Sequence, residues 1–156
     1  MNDARITPET NGVRYGLLTA AVLMVYLLIA VFAGFFNNLV AGSLNLAILA
    51  VGVVMAIANY KRVKHDRIPY LGGFGTGIIT AIVASIGLGI FFIIISALKP
   101  NALDLTRVRD LFGYDLSALV ASLAIVLMGS LGGMIISLVA MQYFKSPDHK
   151  PIESIE

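Results

Sequence analysis

The residues able to do chemistry in this chain are few, and their spacing suits little of it. There is no cysteine, and the only two histidines, His65 and His149, stand in charged, polar segments. The first count excludes disulfides, iron–sulfur clusters, thiolate metal sites and cysteine nucleophiles. The second excludes a bis-histidine haem at membrane depth. Ser43, Ser85, Ser96, Ser122, Ser130 and Ser137 lie inside long apolar stretches. A serine nucleophile needs a base within reach, and those stretches hold no histidine or lysine. Proton-coupled transport and voltage sensing need ionisable groups within the bilayer, which the same stretches lack. Gly72-Gly73-Phe74-Gly75-Thr76-Gly77 is rich enough in glycine for a phosphate loop, but no strand precedes it and no lysine follows in the required place. It reads instead as a flexible opening to a helix. An enzymatic site would have to be assembled from loop residues such as His65, Asp66 or Asp110, so no catalytic activity is expected and no cofactor or metal is assigned.

The charges mark out the elements that carry these residues. The chain is 58% hydrophobic and only 13% charged, against about a quarter charged in soluble domains. Its mean hydropathy is +0.90. Such a chain cannot cover itself with polar surface in water, and lipid is the expected solvent. No charge falls between Arg14 and Lys61, a stretch long enough for two spans of about 20 residues. Gly34-Phe35-Phe36-Asn37-Asn38 supplies the turn between them. The first helix is predicted near 14–35 and the second near 39–60.

The next charge-free stretch, 68–98, exceeds one upright span. Pro69 suits a first helical turn, while the glycines that follow weaken a regular helix. An interfacial start near 68–75 and a span over 76–98 are predicted, with one tilted continuous helix as the alternative. Asp115 is placed to cap a fourth span over 116–144. Between spans three and four, Leu105, Val108, Leu111 and Phe112 recur at helical spacing, which predicts a short amphipathic helix on the membrane surface. The polar start, Met1 to Arg14, and the length of the first apolar run predict a retained signal anchor.

Orientation follows from lysine and arginine. With the N-terminus inside, eight of them (Arg5, Arg14, Lys61, Arg62, Lys64, Arg67, Lys145 and Lys150) are cytoplasmic and three (Lys99, Arg107 and Arg109) are outside. Both ends are therefore expected in the cytoplasm, as tails 1–13 and 145–156. Lys61, Arg62, Lys64 and Arg67 also form the strongest basic cluster and are candidates for contact with anionic lipid headgroups.

Small residues recur four apart at Ala30/Gly34, Gly52/Ala56, Gly73/Gly77, Ser85/Gly89 and Gly129/Gly133. Such pairs let helices approach closely, either within the bundle or against a partner. Asn45 is the polar residue most costly to leave unpaired in hydrocarbon and is expected to be buried against another helix. A pore or transport path would require Asn45, Thr80, Ser85, Ser122 and Ser130 to converge on one cavity.

The asparagine-bearing turn after the first span and the basic link into the glycine-rich start of the third give the chain a family likeness. With the Leu98-Lys99-Pro100-Asn101-Ala102-Leu103-Asp104 exit, they make it resemble a family of four-span bacterial membrane proteins, the domain of unknown function 4199. The resemblance covers most of the chain. It implies four spans and a bacterial inner membrane, and carries over no functional residue.

The sequence thus predicts an all-α, single-domain integral membrane bundle of four transmembrane helices. The function expected is a non-enzymatic interaction protein. Its partners would be membrane lipids and either a larger membrane complex or a second copy of itself, with no nucleic acid. A small oligomeric channel or transporter for an uncharged or lipid-like substrate is the alternative.

Overall fold

The first helix begins well before the charge pattern predicts. In the computed structural model, which describes residues 7–34, 39–64, 69–98 and 114–144, α1 spans Pro8–Phe32. Thr7 is its N-cap and accepts a hydrogen bond from the Thr10 N–H at 3.2 Å. Pro8 occupies the first turn, where its missing N–H costs nothing. Glu9 brings a negative charge to the positive end of the helix dipole. Capping thus outweighs hydropathy in fixing the start, and the boundary at 14 is corrected to 8. At the other end the Ala33 N–H donates to Ile29 O at 2.9 Å. Gly34 follows with φ 75°, a left-handed conformation that terminates helices. It is exposed, with open space where a β-carbon would stand, so the Ala30/Gly34 pair is not a packing pair.

α2 spans Leu39–Val63 and ends on Lys61 and Arg62, cations at the negative end of the helix dipole. α3 is one unbroken helix, Tyr70–Leu98, so the separate interfacial start near 68–75 gives way to the continuous alternative. Among its early glycines Gly77 accommodates Ser137, as described below, whereas a β-carbon at Gly75 would meet nothing within 4 Å. α4 spans Tyr114–Phe144, which places Asp115 one residue inside the helix. The amphipathic helix expected around 105–112 lies outside the described residues. All four helices are long and apolar enough to cross a membrane, and the described residues contain no strand.

The helices alternate in direction along the chain. The start of α1, the end of α2, the start of α3 and the end of α4 therefore meet at one end, here the basic end. α3 packs most heavily on α1 and α4, and α2 touches all three others. The cross-section is a diamond with α1 and α4 at its far corners.

Small residues make these contacts close. Along α3–α4, Ser137 fills the space beside Gly77, Ala81 that beside Gly133, and Ser85 that beside Gly129. Further on, a β-carbon at Gly89 would meet Val126 Cγ2 at 2.8 Å and Ser122 Oγ at 3.0 Å. Each helix therefore supplies both hollows and the small side chains that fill them. On α1–α3, a β-carbon at Gly12 would come 2.8 Å from Ile79 Cβ, and one at Gly16 2.7 Å from Val83 Cβ. The larger core side chains, among them Leu23, Val53, Ile57, Phe92 and Met141, fill what remains. Outward positions carry large apolar residues such as Leu17, Val25, Ile90, Leu127 and Ile135, as a lipid solvent requires.

Candidate functional site

Thr19, Thr76, Thr80, Ser122 and Ser137, in the apolar stretches, bond to the backbone of a helix. Thr80 Oγ1 donates to Thr76 O at 2.8 Å or reaches across to Gly12 O at 3.2 Å. Ser122 Oγ donates to Gly89 O at 2.9 Å, and Ser137 Oγ to Phe74 O at 3.0 Å. Thr19 Oγ1 donates to Tyr15 O at 2.8 Å while its side chain fills the hollow at Gly52. With Ser85 against Gly129, these groups are distributed over three different helix contacts and do not line one path.

The packing residues named from sequence divide accordingly. Gly77, Ser85, Gly89, Gly129 and Gly133 come together on the α3–α4 seam, inside the bundle. Gly73 is buried at the start of α3. These small residues are engaged by neighbours within the same chain.

Sequence reasoning missed the polar cluster at the basic end. Asn11 is 3% exposed. Its Nδ2 donates to Ala56 O at 2.8 Å, and its Oδ1 accepts from Asn59 Nδ2 at 2.8 Å. A first helix predicted from 14 leaves Asn11 outside it. The available signal was Thr7-Pro8-Glu9-Thr10, a helix start that carries Asn11 into regular helix beside Gly12, Gly16 and Ala20, which recur four apart.

Two surface features remain. The first is a shelf at the basic end, lined by Tyr15, Asn59, Lys61, Arg62 and Phe144. Lys61 Nζ stands 5.8 Å from the Phe144 ring centroid, within reach of a cation–π attraction. Arg62 is exposed, Lys61 and Lys64 are half-buried, and Arg67 lies outside the described residues. This arrangement can present positive charge at an aromatic edge.

The second is a cavity of about 530 Å³ in the half of the bundle away from the basic end. Leu46 and Leu49 of α2, Ser85 and Leu88 of α3, and Ile125 and Met128 of α4 line it, with Leu23 of α1 also in the lining. A smaller cavity of about 150 Å³, reaching Tyr26 and Phe92, adjoins it and shares Asn45. Leu46 and Met128 at the margin are 51% and 76% exposed, so the larger cavity opens sideways, where lipid would stand. Asn45 is half-buried, and its Oδ1 is fully enclosed without a hydrogen-bond partner among the described residues. Asn45 thus stands at the cavity wall with its Oδ1 enclosed, and no other helix offers that oxygen a hydrogen bond among the described residues.

Among the described residues no cluster of histidine, acidic or cysteine side chains could hold a metal ion. Comparison with known protein families, characterised proteins and solved structures finds no match to this chain.

Proposed function

We propose that this protein is a non-enzymatic membrane interaction protein, an accessory subunit that packs against a larger membrane complex or against its own copies. The observation that carries this reading is the engagement of interior polar groups. Thr19, Thr80, Ser122 and Ser137 bond to helix backbone, and the small residues of the α3–α4 seam fill one another. The interior is thus built for cohesion, and the outward faces and the two ends are left for recognition. Partner contact would use exposed apolar side chains, for which the α1–α2 groove between Leu18, Val22, Leu44 and Met55 offers a concave seat.

The proposed setting is a bacterial cytoplasmic membrane with both termini inside. The lysine and arginine asymmetry supports this orientation. So does the convergence of the α1 start, Lys61–Lys64 and the α4 end at one end of the bundle. Lys61, Arg62 and Lys64, together with Arg67, would then meet anionic headgroups of the inner leaflet. The resemblance to the four-span family is consistent with this setting.

The test is extraction into nanodiscs from the native membrane, followed by size separation and mass spectrometry. A stoichiometric larger partner, recovered again when that partner is the bait, is expected. Migration as a monomer or a small homo-oligomer would remove the accessory role. A second reading, a small oligomeric channel or transporter for an uncharged or lipid-like substrate, is favoured by the Asn45 cavity and would then be tested by flux into liposomes.

A further inference from the structure

We infer that the shelf at the basic end and the α1–α2 groove form one seat for an anionic glycerophospholipid, with its phosphate on Lys61 and Arg62 and an acyl chain in the groove. This site rests on the reading of the basic end as a contact for anionic headgroups, and gives that contact a stoichiometry of one. The two features are continuous. The shelf, of about 480 Å³, and the groove, of about 420 Å³, share Tyr15 and Met55 in their walls. A cationic ledge therefore opens directly into an apolar channel, as a molecule with a charged head and an apolar tail requires.

Charge selects the occupant of the shelf. Lys61 and Arg62 line it, and no acidic side chain does. Arg62 is exposed, and Lys61 is half-buried with its Nζ 5.8 Å from the Phe144 ring centroid, so a cation–π attraction holds the ammonium at the shelf. A phosphate placed there takes charge-assisted hydrogen bonds from both side chains.

Length selects the occupant of the groove. Its α2 wall runs from Met55 to Leu44, about 16 Å of helical rise. That matches one leaflet, about 15 Å of a hydrocarbon core near 30 Å. The groove also starts beside the cations and runs away from them, as a chain hanging from a bound phosphate must. A transmembrane helix of a partner, the competing occupant of this concave face, would need a seat of the full thickness. Beyond Tyr15 at the mouth, the only polar side chain lining the groove is Thr19. Its hydroxyl is already bonded to Tyr15 O, which leaves the walls suited to hydrocarbon.

The experiment uses the full chain stripped of lipid in detergent. Native mass spectrometry then compares retention of phosphatidylglycerol with that of phosphatidylethanolamine carrying the same two chains. One bound phosphatidylglycerol is expected, retained at least about fivefold more strongly. Lys61→Gln and Arg62→Gln should each weaken its retention about fivefold, and Lys64→Gln, outside the shelf lining, less than about twofold. Ala47→Phe fills the groove from an exposed position and should weaken retention of both lipids. Equal retention of the two lipids by the unaltered chain overturns the inference, and the headgroup reading with it. A loss with Lys64→Gln as large as with Lys61→Gln overturns the site alone, because the attraction is then spread over the whole basic end. So does retention unchanged by Ala47→Phe, or a dimer through the groove that Ala47→Phe disperses.

Discussion

Ser85 fills the space that a β-carbon on Gly129 would need, and one turn along each helix Ala81 does the same at Gly133. The contact is reciprocal with Gly77, where α4 provides the filling side chain, Ser137. Glycine spacing alone shows that close approach is possible. The pairing of each hollow with a particular small side chain is what fixes the register of α3 against α4.

Gly129→Ala is therefore expected to destabilise the bundle by about 1–3 kcal/mol, the range for overpacking. Adding Ser85→Gly should recover most of that loss. Gly75→Ala is the control: its β-carbon meets nothing within 4 Å, and removing a helix glycine should stabilise by about 0.5–1 kcal/mol. Denaturant titration in mixed micelles reads all three.

Asn11→Ala removes the bonds to Ala56 O and Asn59 Nδ2. Interhelical hydrogen bonds in membranes average about 0.6 kcal/mol and reach about 1.7. A loss of about 1 kcal/mol is expected for Asn11→Ala, and a smaller one for the less buried Asn59→Ala. The double variant should fall short of the sum by about 0.5 kcal/mol or more. Strict additivity would show that the two side chains do not act together.

Asn45→Leu should stabilise the protein by about 1–2 kcal/mol, since it replaces an unsatisfied acceptor with an apolar side chain. Thermal unfolding in a detergent without donors is the measurement. Destabilisation would mean that the amide has a partner in the folded chain.

The chain has no cysteine, so single cysteines can report orientation cleanly. Lys64→Cys should react with an impermeant thiol reagent only in inverted vesicles, and Ala33→Cys only in intact cells. The reverse pattern would overturn the proposed orientation.

Charges made the number of helices legible, because gaps such as Arg14 to Lys61 set span lengths directly. They misplaced the start of α1, where the Thr7 cap and Pro8 extend a helix through polar residues. That one boundary left Asn11 and Gly12 outside the helix, and with Gly12 the pair that it forms with Gly16. The α3–α4 glycines were recognised by spacing, but which side chain fills each hollow depends on helix rotation, which spacing leaves undetermined. Asn45 was identified as the costly residue for the right reason. Its surroundings were not legible, since a cavity is a shortfall of packing volume shared by three helices and no single segment records it.

The four-residue meshing of α3 with its neighbours has a mechanical consequence. Along either seam, a filled hollow is followed by another one turn away, so α3 can settle only at discrete positions about 6 Å apart. Small continuous sliding would drive side chains into backbone, and the seam behaves as a rack with fixed notches. α2 is held differently: its one deep notch, Gly52 against Thr19, lies near its middle, and the turns from Gly42 to Leu49 border the cavity. There Leu46 and Leu49 reach Gly132 and Gly133 of α4 by side-chain tips alone, a contact without notches that sets no register for α2.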